Sequence, residues 1–188
     1  VKGAVLERAK VQDILVYKKN LDFLSLPEAT IATGSLRRKA QWLRRSPTHK
    51  VETLRGNIAT RLHKLQENPW QGAIFAAAAL ERLQQEHLQT HVLDWMTPAP
   101  AQGAILAVAM AHDTYALEAL AQINHPATDK ATDIERRFLK RLEGGCTAPI
   151  GAHATLEGDQ LSFVGNLFSL DGTTVIEVSK CISLHALG

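Results

Sequence analysis

The chain has 188 residues, 45% hydrophobic and 21% charged, with a formal net charge of +2. That length supports one or two domains with their own cores, and the near-balanced charge gives no general attraction to nucleic acid. The longest apolar run, near residues 73–80, is far too short to cross a bilayer. Cys146 and Cys181 lack CxxC spacing and no secretory apolar segment opens the chain, so a cytoplasmic protein without a structural disulfide is expected.

Residues 3–17 give two apolar runs interrupted by Glu7-Arg8-Ala9-Lys10, the pattern of two strands joined across a crossing point. Residues 21–27 connect to a strand at Ile31. There one small device occurs twice: an apolar run, a tight turn, and a helix opening among arginines. The first copy reads Ile31-Ala32-Thr33-Gly34-Ser35-Leu36-Arg37-Arg38, with Leu36, Ala40 and Leu43 spaced as on the buried face of a helix. The second reads Thr53-Leu54-Arg55-Gly56-Asn57-Ile58-Ala59-Thr60-Arg61, with Asn57 as helix cap and Ile58, Leu62 and Leu65 as the buried face.

Arg37 and Arg38 therefore fall in the first turn of a helix, where the macrodipole disfavours cations. A lone arginine there reads as a solvated side chain. A repeated one reads as a donor sharing an anion with the turn's N–H groups. Two strand–turn–helix units in one parallel sheet bring both turns to the same edge, where such folds bind ligands. A ligand carrying several negative charges is expected.

Residues 72–79 read as a third strand, with small side chains suited to burial on both faces. Residues 80–91 continue as a helix with Glu81 and Arg82 in its first turn, completing an α/β unit with a largely parallel sheet. Residues 97–103, with two prolines and a glycine, are a breakpoint. An apolar segment at 104–111 and a helix at 114–123 follow. Residues 129–142 form an amphipathic helix with Ile134, Phe138 and Leu142 on one face, stopped by Gly144-Gly145 just before Cys146. From Ala148 the pattern alternates over 150–156, 161–168 and 174–182, with turns at Glu157-Gly158-Asp159 and Asp171-Gly172. That is a three-stranded antiparallel meander backed by one helix.

Cys146, between a glycine pair and Thr147-Ala148-Pro149, reads as a thiol that a bulky group can approach; a small buried loop residue is the alternative. Cys181, inside a predicted strand, is expected in the core. His87 and His91 have helical i, i+4 spacing but no third ligand, so no metal site is expected. Asp13, Asp22, Asp94 and Glu143 form no recognisable acid/base pair, and no Ser/His/Asp or Walker pattern is present.

Four segments carry a family likeness: Thr33-Gly34-Ser35-Leu36-Arg37-Arg38; Leu54-Arg55-Gly56-Asn57-Ile58-Ala59-Thr60-Arg61; Pro100-Ala101-Gln102-Gly103-Ala104; and Leu142-Glu143-Gly144-Gly145-Cys146-Thr147-Ala148-Pro149-Ile150-Gly151. In order and spacing the chain resembles the hydroxymethylbilane synthase (porphobilinogen deaminase) family over essentially its whole length. The resemblance implies an α/β fold: a periplasmic-binding-protein-like domain with a parallel or mixed sheet, followed by a small α+β domain. It divides the chain into a remnant of a first domain and crossover (1–10), a second, arginine-lined domain (11–100), a hinge and returning segment (101–126), and a third domain bearing the cysteine (127–188).

The implied function is a transferase of porphyrin and haem biosynthesis. It condenses four porphobilinogen units head to tail into a linear tetrapyrrole and releases ammonia at each addition. The resemblance implies a dipyrromethane cofactor held by a thioether to Cys146. Arg37, Arg38, Arg55, Arg61, Thr33 and Ser35 match cofactor-binding positions, and Arg55, Arg61 and Arg82 match substrate-binding ones. Expected partners are porphobilinogen and the growing pyrrole chain, without nucleic acid, membrane or metal, and the full-length protein is expected to be a monomer. The family's catalytic aspartate has no counterpart in these residues, so the chain alone is expected to be an inactive fragment. Gly34, Ala79 and Ala101 depart from the family's serine, glycine and glycine. The competing reading is a non-catalytic binding module for a carboxylate or phosphate.

Overall fold

The computed structural model describes residues 1–85, 87–142 and 148–183. β1 (Lys2–Val5) and β2 (Asp13–Tyr17) join different sheets, as the interrupted apolar pattern implies. A 3-10 turn over Asp22–Ser25 leads to β3 (Thr30–Ala32), α1 (Leu36–Arg45), β4 (Lys50–Glu52), α2 (Ile58–Glu67) and β5 (Gly72–Ala76). α3 (Ala77–Arg82) and β6 (Thr90–Val92) complete a five-stranded sheet of order β4-β3-β5-β2-β6.

That sheet is mixed. β3 runs parallel to β4 and β5, whereas β2, entering from the crossing segment, runs antiparallel to β5 and β6. Alternation along the strands fills both faces. Ile14, Val16, Ala73 and Phe75 pack with Leu65 of α2 on one side; Leu15, Ile31 and Ile74 pack with Trp42 of α1 on the other.

Four local expectations are corrected. The strand at 72–79 ends at Ala76, and residues 77–79 already belong to α3. That helix is six residues long and stops where Gln84 adopts φ 51, so Glu81 and Arg82 lie in its last turn rather than its first. His87 sits in a turn and His91 in β6, so the two do not share a helix face. α1 also lies rotated from its expected face. It buries Arg37, Ala40, Gln41 and Trp42 and leaves Leu36 36% exposed, because its first turn packs against a carboxylate rather than hydrocarbon.

β7 (Leu106–Val108) returns to pair antiparallel with β1, and α4 (Thr114–Ala121) packs beside them. α5 (Pro126–Arg141) starts with Pro126 in its first turn and His125 as cap. β8 (Ile150–Glu157), β9 (Gln160–Phe168) and β10 (Val175–Ser183) form the antiparallel meander. Ile134 joins Ala154, Leu161 and Ile182 in its core, Phe138 meets Phe163 edge to face at 5.2 Å, and Leu142 is 39% exposed. Cys181 is exposed, not buried as expected: its neighbour Ile182 takes the core face of β10, and alternation turns the thiol outward. Among the described residues no helix is long and apolar enough to cross a membrane.

Candidate functional site

The site grows from the parallel pairing of β3 with β4 and β5, which sends all three C-terminal ends to one edge. The chain leaves that edge into α1, α2 and α3. The first two turns abut: Thr33 N donates to Glu52 O at 2.9 Å, and a side-chain carbon added at Gly34 would lie 2.4 Å from Leu54 O. With glycine there the two turns approach this closely; a β-carbon would require the backbone to shift. Ser35 caps α1, its Oγ accepting from Arg38 N at 3.4 Å, while Thr33 Oγ1 accepts from Ser35 N at 3.3 Å. Asn57 caps α2 by accepting from Thr60 N at 2.9 Å.

Arg37 is 4% exposed. Its Nη1 donates to Asp13 Oδ2 and to Thr97 O, each at 2.6 Å, and Nη2 donates to Gln102 Oε1 at 3.2 Å. Its Nε is buried without a partner among the described residues. Arg38 reaches Asp13 Oδ1 through Nε at 2.9 Å and Nη2 at 2.8 Å, and Ile74 O through Nη1 at 3.3 Å. Asp13 is fully buried. Burial pushes its carboxyl pKa up, but the charges of Arg37 and Arg38 and the hydrogen bonds from Arg37 and Gln102 outweigh this and hold it below the ordinary aspartate value.

On the neighbouring turn Arg55 is exposed, and Arg61 donates from Nε to Gly56 O at 2.7 Å. Arg82 is exposed at the far end of α3. The structure thus brings Thr33, Ser35, Arg37 and Arg38 together beside the turn bearing Arg55 and Arg61. Cys146 lies outside the described residues.

Sequence reasoning missed Asp13. The available signal was an acidic side chain opening a strand whose next three residues are all core. It also missed Glu135, which is fully buried and accepts from Arg8 Nη1 at 2.7 Å, Arg8 Nη2 at 3.0 Å, Ala101 N at 2.6 Å and Ala154 N at 2.7 Å. The meander is fastened to the arginine edge by Asn166, whose Nδ2 donates to Thr97 Oγ1 at 2.7 Å, and by Ala152 N, which donates to Pro98 O at 2.9 Å. Thr97 is the residue whose carbonyl holds Arg37.

The donors suit a polycarboxylate: Arg55 is exposed on the turn that abuts the start of α1, and Arg38 is half-buried in the first turn of that helix. Among the described residues no group of three or more His, Cys, Asp and Glu is placed to hold a metal.

A family model for the porphobilinogen deaminase dipyromethane cofactor binding domain matches residues 1–118, and one for the porphobilinogen deaminase C-terminal domain matches residues 130–186. Porphobilinogen deaminase of Carboxydothermus hydrogenoformans is 43% identical over 181 residues, covering 95% of this chain and 58% of that protein. The enzyme of Alkaliphilus metalliredigens is 40% identical over 180 residues, covering 94% and 57%. The chain therefore spans somewhat more than half the length of these relatives. Among solved structures, the substrate binding protein of an amino acid ABC transporter aligns with a TM-score of 0.36 and 15% identity, over 71% of this chain and 61% of that one.

Proposed function

This chain belongs to the porphobilinogen deaminase family, and from that premise we propose that it forms the arginine-bearing and cofactor-bearing part of a hydroxymethylbilane synthase. The reaction proposed is the stepwise condensation of four porphobilinogen units into a linear tetrapyrrole with loss of ammonia. The observation that carries it is the abutting pair of arginine turns at one sheet edge. Each pyrrole brings two carboxylates, so a growing chain accumulates negative charge, and permanently ionised planar guanidinium forks are suited to hold it.

In this reading Arg55 and Arg61 hold cofactor and growing chain, and Arg82 meets the incoming units. Arg37 and Arg38 complete the cofactor end. Thr33 and Ser35 shape the turn that aims the α1 N–H groups. Cys146 carries the dipyrromethane through a thioether; when bound, that group supplies the primer to which substrate units are added. The proposed division keeps residues 1–10 and 101–126 with a first domain, 11–100 as the second and 127–188 as the third. The full-length protein is proposed to be a cytoplasmic monomer that binds neither nucleic acid nor membrane.

The test is the intact mass of the chain purified from cells that make porphobilinogen. The expected result is an adduct of two pyrrole units that disappears in Cys146→Ser. An unmodified wild-type mass overturns the covalent reading and leaves a non-covalent anion binder.

A further inference from the structure

We propose that Asp13 is a positioning residue for anion binding, fixing the half-buried Arg38 at the arginine edge with the buried Arg37 locked beside it. The proposal rests on reading the arginine edge as an anion site. A fully buried carboxylate has no evident purpose at the start of a strand whose next three residues, Ile14, Leu15 and Val16, supply the core. Here its two oxygens are divided between two side chains, Oδ2 on Arg37 and Oδ1 on Arg38, and Gln102 Nε2 closes the set at 3.0 Å. Gln102 Nε2 also donates to Val11 O at 2.6 Å, which ties the carboxylate to the incoming strand.

Long arginine side chains in the first turn of a helix are repelled by the helix dipole. Left to themselves they would turn outward and sample many rotamers. The carboxylate costs the site one positive charge and in return fixes two planar forks, and fork orientation is what bidentate anion recognition depends on.

The two effects have opposite signs, which makes the role testable. If Asp13 acted only through its charge, removing that charge would tighten the binding of any polyanion. If it positions the arginines, removing it weakens binding although the site becomes more positive. The probe is a pyrene tetrasulfonate, a permanent fluorescent polyanion whose charge does not vary with pH, titrated against the whole chain at fixed salt. Asp13→Asn is expected to bind about tenfold more weakly than wild type.

Circular dichroism reads whether the variant folds. If it does not, Asp13→Glu decides, since it keeps the charge but displaces the carboxylate by one methylene; it is expected to bind several-fold more weakly. Equal or tighter binding by the folded variant overturns the proposal. Failure of the wild type to bind overturns the anion site and this proposal with it. A missing Cys146 adduct alongside weakened binding in the variant overturns only the synthase reading and supports the role of Asp13.

Discussion

Glu135 of α5 and Arg8 of the crossing segment meet fork to fork, at 2.7 and 3.0 Å, with the Arg8 side chain almost buried and Glu135 wholly so. The same carboxylate accepts from Ala101 of the breakpoint and Ala154 of the meander, so one side chain joins four parts of the chain. Glu135→Ala leaves a buried guanidinium and two backbone donors unanswered. It is expected to lower stability by about 3–5 kcal/mol, read from urea midpoints. A loss below about 1 kcal/mol would show that water replaces the carboxylate freely.

Acid should loosen the fold through the same chemistry. Burial pushes the Asp13 and Glu135 carboxyls up; the arginine charges and hydrogen bonds at Asp13, and the His153 ring, Arg8 and two backbone N–H groups at Glu135, pull both below their ordinary values. A carboxyl depressed in the folded state contributes stability that is fully present above its unfolded pKa and is lost as pH falls through the folded one. Thermal melts from about pH 7 down to about pH 3 should therefore stay flat to about pH 5 and then fall. Asp13→Asn should start lower and fall less steeply. A melting temperature that rises below about pH 5 would contradict this assignment.

Gly34 tests the closeness of the two turns. A side chain at this position meets the Leu54 carbonyl at 2.4 Å, and that carbonyl is backbone and cannot swing aside. Gly34→Val is expected to cost about 1–3 kcal/mol and to weaken tetrasulfonate binding by moving the Arg55 turn away from the start of α1. Unchanged binding would show that the turns act independently.

Ala101 holds φ at 62 while its N–H donates to Glu135. The left-handed region costs a residue with a β-carbon about 1–2 kcal/mol. Ala101→Gly removes that strain, partly offset by the greater freedom glycine gives the unfolded chain. A rise of about 1 kcal/mol in chemical unfolding is expected; a fall would place the strain elsewhere.

Read alone, the residues determined what local rules can carry. Period and punctuation located the meander, the α5 helix and the cap Asn57. The repeated device placed two arginine turns on one edge, because parallel neighbouring strands must end on the same side. Local rules failed at α3, where one run of alanines serves both a strand and the helix after it and only pairing with β2 ends the strand at Ala76. They also failed at Cys181, whose face depends on which side of the meander α5 covers. Asp13 and Glu135 were beyond their reach for a deeper reason. A carboxylate becomes tolerable in a core only when its partners arrive, and Arg37 stands 24 residues from Asp13 while Arg8 stands 127 from Glu135. Tertiary structure alone makes those meetings, and through them it decides which arginines are fixed by a buried carboxylate and which lie exposed.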